Sequence, residues 1–182
     1  MDTALIITTT VTILLAIAGY VFTYLNNLRL SQRKDRLDRV NRQLAELYGP
    51  MFSLVNASNI AWQGFRKDHR PNEAYFSSST TEEDYKEWRL WMSVVFMPIN
   101  KKLYDLILEK SDLLIETEMD NSLLMFCAHI AAYHAVLEKW NHQDYSEHLS
   151  VIAYPKEIEE YARRSYTKLK AEQALLLGKT SS

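Results

Sequence analysis

From Thr3 to Leu28 the chain carries no charged side chain, and its apolar centre runs unbroken from Ala4 to Leu25. A helix of that length rises about 33 Å, against a hydrocarbon layer of roughly 30 Å. No other segment constrains the fold so strongly. Thr8, Thr9, Thr10, Thr12 and Thr23 dilute the run, but each hydroxyl can return to the carbonyl one turn back. A cleaved signal peptide is the rival, with Ala16-Ile17-Ala18 imitating a cleavage site. Against it, Met1-Asp2 supplies no basic residue and the run continues through Tyr20-Val21-Phe22. The reading is a transmembrane helix over 4–25.

The flanks orient it. Only Asp2 precedes the span, whereas Arg29, Arg33, Lys34, Arg36, Arg39 and Arg42 follow it. Positive flanks stay cytoplasmic, which places the N-terminus outside and all that follows inside. Arg29, Arg33, Lys34 and Arg36 are also candidates for anionic lipid headgroups, each contributing on the order of 1 kcal/mol. From residue 51 onwards there are 15 basic and 19 acidic residues, and the whole chain has a net charge of −2. Basic character confined to the membrane edge favours lipid and argues against nucleic acid. A single cysteine, Cys127, excludes an internal disulfide framework and a cysteine-rich zinc module.

Within the span, Thr8, Thr12, Ala16, Gly19 and Thr23 fall on one stripe. Small stripes let helices approach closely, so they suggest a homo-oligomer or, further, hydroxyls lining a polar path. Ile6, Ile7, Ile13, Leu14, Ile17 and Val21 would then face lipid. The same stripe serves static packing equally well.

The remainder reads as all-α. Four glycines and four prolines leave few breaks, and no period-two stretch is long enough for a sheet. Residues 26–49 form a basic juxtamembrane helix with a Leu37, Val40, Leu44 and Leu47 seam. Gly49-Pro50 calls for a bend or restart, and residues 50–182 form a cytoplasmic helical domain, giving a bundle of about five helices. Met51, Val55, Trp62 and Phe65 mark its first helix. A loop spans 67–81, closed by the start signals Thr80/Glu83 and Thr81/Asp84. The next helix carries Trp88, Trp91, Met92 and Val95 until Pro98 kinks or splits it. Another opens at Asp120-Asn121-Ser122 with Leu123, Cys127, Ile130, His134 and Leu137 on one side. The last runs from Pro155 to a stop at Gly178, after an irregular connector over 141–154.

Chemistry is sparse. His134, Glu138 and His142 stand four apart and share a face, so neighbours could form a two-point metal site, with His148, Asp144 and Glu147 supplying more ligands from the connector; a structural network with His134 partly in the core explains them more simply. Cys127 and His129 lie on different faces, which leaves no cysteine–histidine pair. No phosphate loop, HExxH or GxSxG occurs, and no cofactor is implied. Trp88 and Trp91, with Arg89 between them and Tyr85 before, could make an aromatic pocket for a flat ligand, and Arg66, Lys67 and Arg70 could take a phosphate. The three-residue spacing of the two tryptophans suits core packing better.

Leu44-Ala45-Glu46-Leu47-Tyr48-Gly49-Pro50-Met51, behind an anchor and a basic helix, resembles a widespread group of small uncharacterised bacterial membrane proteins. Trp88-Arg89-Leu90-Trp91-Met92 through Val95-Phe96-Met97-Pro98 is similar to the same group. The resemblance implies a bacterial inner-membrane location and brings no catalytic residues with it. An anchor joined to a helical sensor also resembles the layout of some phage-defence membrane effectors. The expected function is a non-enzymatic, oligomeric sensor or effector that answers a cytoplasmic ligand or protein partner and alters membrane permeability. The alternative is a metal-dependent enzyme built on the His134, Glu138 and His142 face.

Overall fold

The computed structural model describes residues 2–72 and 74–179, with backbone alone at Leu5. Among these, every regular element is helical: α1 (Thr3–Gln43), α2 (Gly49–Asp68), α3 (Glu82–Trp91), α4 (Met97–Glu109), α5 (Asn121–Asn141) and α6 (Glu157–Leu176). A π-helical turn, Leu44–Tyr48, joins α1 to α2, and a second, Met92–Phe96, joins α3 to α4. The expected restart at Gly49-Pro50 and split at Pro98 thus take the form of π-turns, with α2 and α4 each resuming with the proline in the first turn. Beyond α1 the helices α2 to α6 number five, as expected, and because the π-turns keep the chain helical, the six helices make four continuous rods.

Both prolines are absorbed by the same device. In an α-helix the proline ring would collide with the carbonyl four residues back. Here the residue just before each proline donates its N–H five residues back, Gly49 to Leu44 and Met97 to Met92. The extra residue widens the turn and makes room for the ring. The widening has a local cost at Gly49: a Cβ there would lie 2.5 Å from the Leu44 carbonyl oxygen.

The rod from Ile6 to Asp68 is 63 residues, about 95 Å long. Its first part, up to Leu28, is exposed and uncharged, and it is the one helix among the described residues long and apolar enough to cross a membrane. Thr8, Thr10, Thr12 and Thr23 return their hydroxyls to Ala4, Ile6, Thr8 and Gly19 at 2.8–2.9 Å, as expected. From Val40 onwards the rod becomes core. Leu44, Leu47, Tyr48, Met51, Val55 and Phe65 are all buried. Helix α2 packs against α4 and α6, while α5 closes the bundle against the same pair.

Local signals fix the other ends. Thr81 and Asp84 form a capping box at α3, the hydroxyl accepting from Asp84 N at 3.2 Å and the carboxylate from Thr81 N at 2.8 Å. Asp120 caps α5 by accepting from Ser122 N at 2.8 Å. Gly178, at φ 72°, ends α6 in a Schellman turn: its N–H reaches the Leu175 carbonyl, and Lys179 N reaches Ala174.

On α5 the expected Leu123 and Ile130 are fully buried, with Cys127 and Leu137 half-buried against the core, but the centre of the buried stripe differs from expectation. It runs through Ser122, Phe126, His129, Tyr133, Val136 and Trp140, spaced alternately four and three, and leaves His134 exposed. Three aromatic side chains bury more area than the Cys127, His134 and Leu137 line, and they determine which side faces inward. His129 is the core histidine.

Candidate functional site

The end of the bundle farthest from Thr3 is built from rings. Phe65, fully buried on α2, lies 4.8 Å from Tyr75, 5.2 Å from Trp91 and 6.1 Å from both Trp88 and Phe96. Trp62 meets Trp88 edge-on at 6.0 Å. The space between Trp88 and Trp91 is thus filled with aromatic core, and the expected flat-ligand pocket between them is occupied by the protein's own rings. The Trp88 indole N–H is engaged by the His148 carbonyl at 2.9 Å and the Tyr133 hydroxyl at 3.2 Å.

The three basic residues near the end of α2 do not converge on a common point. Arg66 lies over the Trp62 and Tyr75 rings, at 5.9 and 5.8 Å. Arg70 organises the following loop, pairing with Asp84 at 2.9 Å and donating to the Ser79 carbonyl at 2.8 Å. The cap hydrogen bonds from Thr81, with that cation, hold the Asp84 carboxyl below its ordinary range. Lys67 is exposed.

Arg89 is placed differently. It pairs with Glu82 at 2.6 Å and sits 4.3 Å over the Tyr145 ring, with its side chain only 13% exposed. Beside it, His148 stacks on Tyr85 at 3.8 Å. An open cavity of about 280 Å³ is lined by Phe76, Tyr85, Glu147, His148 and Leu149. Two polar atoms here are buried without a hydrogen-bond partner among the described residues: Arg89 Nη1 and His148 Nδ1. Burial, and then the Arg89 charge, push the His148 imidazole below its ordinary pKa, so it is neutral at pH 7. The group presents a cation with a spare donor, a neutral imidazole and an aromatic plate. It is suited to holding a polar, flat or anionic group, and no nucleophile is arranged beside it.

The sequence pointed to Arg89 and its neighbours Trp88 and Tyr85, but missed the role of His148. That residue comes from the irregular connector, whose path no periodicity encodes. It is held there by its own backbone carbonyl, which accepts from Trp88 and from Tyr133 Oη at 2.8 Å.

The α5 face offers less. Glu138 and His142 meet at 3.2 Å, both largely exposed, and His134 is exposed one turn earlier. No group of three or more histidine, cysteine or acidic side chains is placed to hold a metal ion among the described residues. The Cys127 thiol is half-buried and pushed up by that burial, away from the reactive thiolate.

At the opposite end of the bundle, two of the four expected headgroup ligands are engaged by protein. Arg33 donates from Nε and Nη2 to the Leu176 carbonyl at 2.9 and 2.5 Å, and Arg36 pairs with Glu172 at 2.6 Å. Arg29 and Lys34 are exposed. The stripe residues Thr8, Thr12, Ala16, Gly19 and Thr23 are exposed too, and Gly19 has open space where a Cβ would stand. No protein-family model, curated protein or solved structure matches the chain.

Proposed function

We propose that the protein is a single-pass membrane sensor and effector without enzymatic activity. Its N-terminus lies outside the bacterial inner membrane and its bundle in the cytoplasm. One observation carries the reading: the apolar part of the first rod continues, without leaving helix, into the central helix of the bundle. A repacking around α2 would be transmitted along the helix into the span. The Arg89, His148 and Tyr85 group at the far end is the entry point for a small ligand or partner segment. Self-association through Thr8, Thr12, Ala16, Gly19 and Thr23 would turn that movement into a change of permeability, as in a defence-type effector. A ligand shifts such an equilibrium only by its differential affinity for two packings.

Expression of the full chain in bacteria, with alkaline extraction of membranes and a potential-sensitive dye, tests this. The protein should stay in the extracted membrane pellet. Expression should collapse the potential in wild type but not in Thr12→Leu or Gly19→Leu. Recovery in the soluble fraction would overturn the anchor, and a potential undisturbed both on overexpression and under phage infection would overturn the permeability step.

A further inference from the structure

Helix α6 runs antiparallel to α1 and returns along it towards the apolar half of the rod. Three polar rungs fix its height. Gln173 donates to Asn41 Oδ1 at 2.7 Å, Glu172 pairs with Arg36, and the Leu176 carbonyl accepts both bonds from Arg33. The Schellman turn holds the helix end there, where a Cβ on Gly178 would stand 3.9 Å from Arg33 Nη2. The bundle is therefore not carried on a stalk. Its last helix ends level with residue 33.

That height has a consequence if 4–25 crosses the bilayer. Arg33 lies eight residues past Leu25 and five past Leu28, the last uncharged residue of the run. At about 1.5 Å per residue it sits roughly 8–12 Å below the hydrocarbon edge. The headgroup layer on each side is about 5–8 Å thick, and amphipathic segments bury their apolar side chains about 5–10 Å into this boundary. Two large apolar residues flank Leu176 at this level, Leu175 at 75% exposed and Leu177 at 50%. Leu30 on α1 is exposed beside the same layer. The surrounding charges suit an anionic surface, with Arg29, Lys34 and Lys179 all exposed.

We infer that the C-terminal end of α6 docks into the headgroup region, with Leu175 and Leu177 immersed in the bilayer interface as a second membrane contact. The inference rests on the membrane-spanning reading of α1. It gives the exposed leucines one occupant, the lipid, and leaves Arg33 and Arg36 as the clasp that keeps them at the correct height. Two contacts on separate rods would hold the bundle at a set tilt against the bilayer, so that movement of α6 against α1 is felt in the lipid as well as in the span.

The test uses the full chain with Cys127→Ser, carrying one new cysteine at a time: Leu14→Cys, Ile60→Cys, Leu175→Cys or Leu177→Cys. Each is labelled with an environment-sensitive fluorophore and reconstituted into vesicles of phosphatidylethanolamine and phosphatidylglycerol. Labels at 175 and 177 should be quenched by brominated lipid, and quenching by aqueous iodide should fall about threefold or more relative to position 60. Iodide-accessible labels at 175 and 177 beside a lipid-quenched label at 14 would overturn the inference and leave the anchor standing. Labels at 175 and 177 shielded from both quenchers would also overturn it, since protein rather than lipid would then cover them. An iodide-accessible label at 14 would overturn the anchor itself.

Discussion

The two halves of the first rod are equally regular helix and are treated oppositely by the rest of the chain. As far as Leu30 its described large apolar side chains are exposed; Phe22 is 75% exposed and Leu14 60%. After Val40, Leu47, Tyr48, Met51 and Phe65 have no exposure at all. Each uncovered leucine or phenylalanine forgoes about 1.5–3 kcal/mol of burial. One helix thus carries two apolar patterns. A stripe suffices where the rod packs on α4 and α6, whereas the all-round apolar part is long and apolar enough to cross a membrane.

The contrast is broken or sharpened first by truncation. Leu47→Ala should cost the bundle about 2–5 kcal/mol, since a fully buried side chain leaves a cavity. Leu14→Ala should leave bundle unfolding within about 0.5 kcal/mol. Denaturant titration in mild detergent, followed by tryptophan fluorescence, measures both. Equal losses at the two positions would mean that the apolar half is protein-packed after all.

Glycine replacement gives the next largest effect. Both Gly19 and Gly49 are helical, so alanine would ordinarily stabilise each by roughly 0.5–1 kcal/mol. Gly19→Ala meets nothing within 4 Å and, lying outside the bundle, should leave bundle unfolding within about 0.5 kcal/mol, as for Leu14. Gly49→Ala pushes a methyl against the Leu44 carbonyl that accepts the π-turn hydrogen bond. It should lose about 1–3 kcal/mol instead. The same titration reads both, and a stabilised Gly49→Ala variant would show that the π-turn relaxes freely to α.

These positions also show what was legible in advance. The apolar run, the helical class, the capping box at Thr81 and the stop at Gly178 each rest on a few adjacent residues, and local chemistry decides them. Gly49-Pro50 and Pro98 mark the two interruptions of α-helix, because the clash of a proline ring with the carbonyl four residues back is local; that each interruption is a π-turn rather than a loop is not written in the proline itself. On α5 periodicity found Leu123 and Ile130 and failed at His134, because the partners' demand for ring area at Phe126, Tyr133 and Trp140 turns the centre of the buried face away from it. At the candidate site Arg89 was visible on its helix. His148 was not, since an irregular connector is positioned by long-range bonds such as Trp88 to the His148 carbonyl.

A pH titration probes the buried half alone. Burial lowers the His129 pKa, although the ring's hydrogen bond to the Ile152 carbonyl works the other way. With its folded pKa depressed, the unfolded chain takes up more protons as pH falls through the ordinary imidazole value of 6.5. Stability present at neutral pH is therefore lost progressively on acidification below it. His148 shifts in the same direction and for the same leading cause. Thermal unfolding between about pH 7.5 and 5 should show a falling midpoint, with a shallower slope in His129→Gln. An unchanged slope in that variant would assign the dependence elsewhere. No pH dependence at all would contradict the buried, neutral state of both imidazoles.

The smallest effect is expected at the seam where the two halves meet. Arg36 pairs with Glu172 at 2.6 Å, but its side chain is 67% exposed. Water and salt screen such a pair, and ordering two long side chains offsets much of the attraction, so Arg36→Ala should cost about 0.5 kcal/mol or less in detergent. Arg33→Ala removes two bonds from the Leu176 carbonyl and should cost somewhat more, about 1 kcal/mol. The order matters more than the size. If the membrane surface competes for these cations, reconstitution into phosphatidylglycerol vesicles should shrink both differences, because the arginines would then be bound to lipid in the wild type. If α6 keeps them, the two differences persist in lipid as measured in detergent, and the clasp between α1 and α6 belongs to the bundle rather than to the bilayer.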